Sequence, residues 1–381
     1  MIALACPGCG QNLNLGAELA GKQASCPECG RLLDVPAPDV PGLQAITRPG
    51  RRADVEALCA LLDPPQGPGE VRRFADYRVL GVLGVGGMGV VFRAEDTTIR
   101  RTVALKIMRP SRADRPTARQ RFLREARLMA ALQHERTIKL HQVGEHRGLP
   151  FLTMEVLEGE TLEARLRRAP GLKLAEVLRI GCEVAEGLAA AHVMGVIHRD
   201  VKPANIWLCL GGRVKLLDFG LAREAEDRQQ LTRPGAVVGT PGYLAPEQVS
   251  GKALDARCDL FALGCVLYLL CTGRTPFPGK DEAEALLALT RDHPVPPHEV
   301  NPRVPLALSE LVLRLLAKHP DDRPPSAQAV VEALAAIEAG EPAQPVARRR
   351  WWRWLVAAAL LVVIEAVVVF FVLDWLLGRA R

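Results

Sequence analysis

Few stretches constrain a chain as tightly as His198-Arg199-Asp200-Val201-Lys202-Pro203-Ala204-Asn205, with Asp218-Phe219-Gly220 beginning thirteen residues after Asn205. Together they demand a fold that brings two acids, an amide and a lysine to one point. The apolar run Val214-Lys215-Leu216-Leu217 reads as a strand that delivers Asp218 to its far end. Asp200 is suited to accept a proton from an attacking hydroxyl, and Asn205 and Asp218 offer hard oxygens to Mg²⁺. Lys202 is close enough in sequence to Asp200 to neutralise charge on a transferring phosphoryl group. These residue types in this order support phosphoryl transfer.

The partner elements lie upstream, between Tyr77 and Lys106. Gly84-Val85-Gly86-Gly87-Met88-Gly89-Val90-Val91 matches G-x-G-x-x-G-x-V, in which glycines let backbone N–H groups approach phosphate oxygens without side-chain clash. Alone it is also compatible with a flexible hairpin turn. Val103-Ala104-Leu105-Lys106 then reads as a strand ending in a lysine that can pair with phosphates. A lysine on a buried strand needs a counter-ion. In Thr117 to Leu132, Phe122, Ala126 and Met129 share one helical face, and Glu125 falls on it. Glu125 is therefore expected to pair with Lys106 in the active arrangement; a solvated acid at the stripe's edge is the plainer alternative.

From about Tyr77 to Ile337, roughly two-thirds of its length, the chain resembles a protein kinase of the serine/threonine type, closest to the bacterial representatives. The resemblance implies an α+β fold of two lobes, with ATP and Mg²⁺ as cofactors and Ser/Thr hydroxyls of protein substrates as acceptors. It places Asp200, Lys202, Lys106 and Glu125 in catalytic roles and Asn205 and Asp218 on Mg²⁺. Gly84, Gly86, Gly89, Val91 and Lys106 would hold ATP, with Glu155 to Leu157 as the backbone hinge for adenine after Met154. Gly239 to Glu247 resembles the end of an activation segment. Asp259 resembles the acid that ties down the catalytic-loop backbone, and Arg323 the partner of Glu247. Leu105, where isoleucine is more usual, is the one visible departure. Lys202, two residues after Asp200, and Thr240 are what serine/threonine kinases carry. Arg199 resembles the arginine that receives an activation-loop phosphate, and Thr232 is the one hydroxyl residue between Gly220 and Gly239. Thr232 is thus expected either as a phosphorylation site pairing with Arg199 or as an unmodified loop threonine, and Thr240 as a residue orienting Asp200 and Lys202. The alternative from another class is a catalytically silent scaffold with a kinase fold. Intact Lys106, Asp200, Asn205 and Asp218 argue against it.

An independent signal occupies residues 1–36. Cys6-Pro7-Gly8-Cys9 and Cys26-Pro27-Glu28-Cys29, separated by sixteen residues, have the spacing of a Cys₄ zinc site. Gly10 and Gly30 follow each pair, where a tight knuckle needs positive φ. So short a segment cannot bury enough apolar surface to fold unaided, and structural Zn²⁺ would supply most of its folding free energy. It resembles a small zinc ribbon. Lys22 and Arg31 stand against Glu18, Glu28 and Asp34, and four thiolates outweigh one Zn²⁺, so no nucleic-acid partner is expected. Cys59, Cys182, Cys209, Cys258, Cys265 and Cys271 have no metal or disulfide spacing and read as reduced, mostly buried thiols.

Residues 37–76, rich in proline, read as a tether with a short helical pattern over Ala53–Leu62. The kinase domain is expected over 77–337, then a linker with a basic and aromatic juxtamembrane segment over 338–354. Leu355–Leu377 is apolar except for Glu365 and Asp374. As a helix it would measure about 34 Å against a hydrocarbon core of about 30 Å. Its Leu, Ile, Val and Phe side chains are worth roughly −5 to −10 kcal/mol of insertion, against about 3 kcal/mol for one central carboxylate. A single transmembrane helix is expected. Arg348, Arg349, Arg350 and Arg353 before the span place the kinase in the cytoplasm and the C-terminus outside, and account for much of the net charge of +6. Glu365 either joins helices, for instance in a homodimer, or is a protonated passenger.

Overall fold

A computed structural model of the chain describes residues 2–15, 23–34, 49–219 and 241–340. The expected membrane segment 355–377 with Glu365, the arginine cluster, Gly220, Thr232 and Thr240 lie outside these residues. Among the described residues no helix is long and apolar enough to cross a membrane.

The cysteine-rich segment is two antiparallel hairpins of the same design. β1 (Ile2–Ala5) pairs with β2 (Asn12–Leu15), and β3 (Gln23–Ser25) with β4 (Leu32–Asp34). In each knuckle the first cysteine carbonyl accepts from the glycine four residues on: Gly10 to Cys6 at 2.8 Å and Gly30 to Cys26 at 2.9 Å. That closure needs the positive φ of Gly10 (76°) and Gly30 (70°). Cys6, Leu13, Cys26 and Leu33 form a small core of their own.

The small lobe is a six-stranded antiparallel sheet in the order β5-β6-β7-β8-β10-β9. Its members are β5 (Arg72–Phe74), β6 (Tyr77–Val85), β7 (Gly89–Asp96), β8 (Arg101–Met108), β9 (Leu140–His146) and β10 (Leu149–Met154). Arg147 (φ 49°) and Gly148 (φ 77°) close β9 on β10 in a two-residue turn whose positive φ angles match the strand twist. Helix α3 (Pro116–Ala131) buries Phe122, Ala126 and Met129, the face its periodicity marks; α2 (Pro110–Ala113) precedes it.

The tether expected over 37–76 requires correction from residue 49 onward. Helix α1 (Pro49–Cys59) and β5 belong to the small lobe. Val55 and Leu58 are fully buried and Leu62 nearly so, in the same core as the sheet. Val55 and Leu58, three residues apart, share one face of the helix and Leu62 follows just beyond its end; each such side chain is worth about 1.5–3 kcal/mol when buried. Asp63 and Arg73 exchange two backbone hydrogen bonds at 2.9 Å, which clips the end of α1 to β5.

The large lobe is built on the helix Arg257–Thr272, buried without a gap from Cys258 to Tyr268. Being apolar all round apart from its first turn, it can only sit at the centre. Helix α5 (Leu174–Val193) and the helix Leu306–Leu315 pack on it, and Ala327–Glu338 packs on α5. Gly264 lets one of them close in, since a Cβ there would meet Leu315 Cβ at 2.8 Å. Helix α4 (Leu162–Arg168), capped by Thr161, leads from the small lobe, and the sheet β11 (Gly159–Thr161), β12 (Ile206–Cys209) and β13 (Val214–Leu216) lines the cleft side.

Candidate active site

The Gly-rich turn joins β6 to β7 with Val85 opposite Val90, and Gly86 N–H donates to Gly89 O at 2.9 Å. The glycines have different reasons to be there. A Cβ on Gly89 would lie 2.1 Å from Ile107 O, so glycine is required for this end of β7 to pair with β8. At Gly84 nothing lies within 4 Å of a built Cβ, so its openness faces free space. Val91 is opposite Lys106 on β8 and partly buried under the turn.

Lys106 is 4% exposed, and its Nζ lies 2.5 Å from Oδ1 of Asp218. The ammonium is thus paired with Asp218; Glu125 is the partner expected for the active arrangement. Glu125 lines a cavity of about 220 Å³ with Arg121, Arg124, Arg199 and Phe219. The position of Asp218 in the cleft favours its neutral form, but the Lys106 ammonium above all, with Lys202 behind it, outweighs this and holds the carboxyl below the usual range.

Asp218 follows β13, one residue longer in the sequence reading than the strand itself. Asp218 (φ 42°) and Arg199 (φ 64°) both adopt left-handed backbone without being glycine, a strain that surrounding contacts must hold. Asp259, 1% exposed on the central helix, supplies part of that hold. One oxygen accepts the His198 N–H at 2.8 Å and the His192 ring N–H at 2.8 Å, and the other accepts the Arg199 N–H at 2.7 Å.

His198 was quoted in the motif but given no role by sequence reasoning. It is fully buried, and burial pushes its pKa down, so the ring is neutral. Its Nδ1 faces the Asp200 N–H at 3.3 Å and its Nε2 the Leu217 carbonyl at 2.9 Å, which fixes Nε2 as the protonated nitrogen. The ring lies 4.4 Å from that of Phe219. One imidazole thereby ties the loop carrying Asp200 to the strand end carrying Asp218. The sequence signal is a histidine between Ile197 and Arg199, two residues before an acid, too common a pattern to assign.

In the loop that carries Asp200, Lys202 Nζ lies 2.8 Å from Asp200 Oδ2. Asn205 donates through Nδ2 to the Asp200 carbonyl (2.8 Å) and carboxylate (2.9 Å), and its carbonyl accepts from Leu217 N–H at 2.9 Å. Asn205 therefore keeps its amide oxygen as a hard donor beside the half-exposed Asp218 carboxylate, a set that fits Mg²⁺. At the hinge, Glu155 N–H donates to Lys139 O at 3.1 Å, while its carboxylate accepts from Lys139 N–H (2.8 Å) and Lys215 (2.6 Å). Among the described residues the Glu155 carbonyl and Leu157 amide have no protein partner, an acceptor and donor pair on the edge of the cleft.

Outside the cleft, Arg323 forms a two-pronged pair with Glu247, Nη1 to Oε1 at 2.6 Å and Nη2 to Oε2 at 2.8 Å, both residues buried. The segment leading to Glu247 is thus fastened to the large lobe. In the N-terminal hairpins the sulfurs of Cys6, Cys9, Cys26 and Cys29 all lie within 4.8 Å of one another, with Cys6–Cys29 at 3.6 Å and Cys9–Cys26 at 3.7 Å. Four thiolates about 2.3 Å from one Zn²⁺ would stand about 3.8 Å apart, so the donor set fits a tetrahedral ion. The Gly8 N–H to Cys6 Sγ bond is the main reason that thiol is lowered to about 6. The other six cysteines are unpaired by disulfides. Burial pushes Cys59 up to about 11 and Cys271 to about 12, which keeps both as inert thiols.

The model of one family, the protein kinase domain, matches residues 77–334. Over 272 residues, 70% of this chain and 44% of the other, the sequence is 36% identical to the serine/threonine-protein kinase PknB of Mycobacterium leprae. Over 293 residues, 74% of this chain and 42% of the other, it is 39% identical to the serine/threonine-protein kinase Pkn1 of Myxococcus xanthus. The chain thus spans less than half the length of these relatives. Among solved structures, the PknI kinase domain of Mycobacterium tuberculosis superposes with a TM-score of 0.57 at 30% identity, covering 71% of this chain and 99% of that one.

Proposed function

The chain belongs to the protein kinase family, and on that premise we propose that it transfers the γ-phosphoryl group of ATP to serine or threonine hydroxyls of proteins. The observation that carries this reading is the junction of Asp200, Lys202, Asn205 and Asp218 with Lys106, drawn from both lobes. The acceptor O–H gives its proton to Asp200 as its oxygen forms a bond to the γ-phosphorus, and the bond to the β–γ bridging oxygen breaks to leave ADP. Lys202, 2.8 Å from Asp200, is placed to neutralise charge on the group in flight. Gly84, Gly86, Gly89 and Val91 cover the phosphates, Lys106 pairs with them, and the Glu155 carbonyl and Leu157 amide take the adenine edge. Mg²⁺, when held by Asn205 and Asp218, supplies positive charge at the phosphates. A cavity of about 280 Å³ beside the loop, lined by Glu163, Leu166, Lys202, Pro203, Tyr243 and Leu269, is a suitable place for the protein substrate.

The finer parts of the reading rest on sequence. Glu125 pairs with Lys106 in the active state, Thr232 receives phosphate and meets Arg199, and Thr240 orients Asp200 and Lys202. Cys6, Cys9, Cys26 and Cys29 hold structural Zn²⁺. Residues 355–377 anchor the kinase at the cytoplasmic face of a membrane, with the C-terminus outside and Glu365 available for a homodimer contact. The test is phosphate incorporation by the full chain in detergent with ATP and Mg²⁺, beside an Asp218→Asn control. Incorporation into Ser or Thr that the control lacks is expected. No incorporation by folded protein would turn the reading towards a silent scaffold.

A further inference from the structure

Arg109 follows β8 three residues after Lys106 and belongs to none of the sequence motifs. Its backbone N–H donates to the Met88 carbonyl at 3.1 Å, which fastens it beneath the Gly-rich turn. From there the guanidinium reaches in two directions. Nη2 donates to the Gly86 carbonyl at 2.7 Å, and Nη1 lies 2.8 Å from Oδ2 of Asp54 on α1. The two side chains are 20% and 32% exposed, so water screens the pair only in part. Asp54 is offered from a rigid support. Its neighbours Val55 and Leu58 are fully buried, and the Cys59 carbonyl at the helix end accepts from Arg72 Nε at 3.1 Å.

A turn of glycines has many backbone conformations, each aiming its N–H groups differently, and nucleotide binding must restrict them. A guanidinium clamped on one side by a carboxylate presents its other face in a fixed plane. Resting on the phosphotransferase reading above, we propose that Arg109 is a positioning residue that clasps the Gly-rich turn to α1, so that the docking of α1 sets the affinity for ATP. Without Asp54 the guanidinium loses its second anchor and swings towards solvent, and the turn regains the freedom that ATP must then remove.

The experiment measures binding of a fluorescent ATP analogue with Mg²⁺ to the full-length protein in detergent, beside kcat and KM for phosphate transfer. Asp54→Asn is expected to weaken binding and raise KM for ATP about five- to tenfold while kcat changes by less than about twofold. Asp54→Glu restores most of the affinity. The reversed pair, Asp54→Arg with Arg109→Asp, rebuilds the ion pair but sets an acceptor against the Gly86 carbonyl. It is expected to keep the α1 amides protected from hydrogen exchange yet bind ATP as weakly as Asp54→Asn. Wild-type affinity in Asp54→Asn, or in the reversed pair, would overturn the clasp. If Asp54→Asn frees α1 from the lobe, seen as lost protection at Val55–Cys59, the reversed pair still decides. A wild-type protein that binds no ATP analogue would overturn the phosphotransferase reading itself, so the two failures are told apart.

Discussion

At Asp259 one carboxylate accepts two backbone amides and a ring N–H in a site that water does not reach. Asp259→Ala strands the His198 and Arg199 donors in the interior, at a cost of about 3–5 kcal/mol. A chemical denaturation series on the variant should show that loss together with loss of transfer. His198 gives the residue scale its pH dependence. Its folded pKa lies below the ordinary 6.5 because burial disfavours the imidazolium. Between those two values the unfolded chain binds more protons than the folded one, so stability rises with pH. The contribution is complete above about 6.5 and falls below it by up to about 1.4 kcal/mol per pH unit. Thermal melts from pH 7.5 down to 5.5 should show that decline, and His198→Gln should flatten it. Asp218 works in the same sense at lower pH. Its depressed pKa makes the Lys106 pair fully present above the ordinary carboxylate value near 3.8, and the pair is lost as pH falls through the folded value.

Among the elements, the Gly-rich hairpin separates two uses of glycine that a motif cannot. Gly89→Ala drives a Cβ to within 2.1 Å of Ile107 O, so it should split β7 from β8, lower the melting temperature and abolish nucleotide binding. Gly84→Ala meets nothing within 4 Å and should melt like the wild type, its effect confined to ATP affinity. Differential scanning fluorimetry with and without ATP distinguishes the pair. The elements most legible in the sequence were those with period or punctuation: the stripe Phe122-Ala126-Met129 of α3, the run ending at Lys106, the knuckles closed by Gly10 and Gly30. The helical pattern over Ala53–Leu62 is legible but its docking is not, because proline surrounds it, and Arg72-Arg73-Phe74 is too short and too charged to look like a strand. What makes them structure is tertiary: β5 becomes a strand by pairing with its neighbour β6, and α1 docks by burying Val55 and Leu58 in a core shared with β7 and β8, which lie too far along the chain for a local window to contain. The Asp54–Arg109–Gly86 contact was illegible for the same reason.

At the scale of the molecule, the described residues form two hydrophobic cores: the small one around Cys6, Leu13, Cys26 and Leu33, and the large one that runs through both lobes. If Zn²⁺ supplies the folding energy of the first, a strong chelator should release about one zinc per chain and unfold the hairpins, leaving the main melting transition in place. Metal analysis and two-dimensional NMR of the chelated protein check both halves of that statement; a single transition that moves with the metal would contradict it. The long reach of Asp259 also has a consequence during synthesis. Its partners, His198 and Arg199, precede it by about sixty residues. While those residues are still to be made, which takes several seconds at roughly 5–20 residues per second, Asp200 has left the ribosome on a loop with nothing to hold its left-handed neighbour. On the phosphotransferase reading, a nascent chain therefore carries Asp200 before it can use it as a base, and is expected to stay silent until the central helix has been translated.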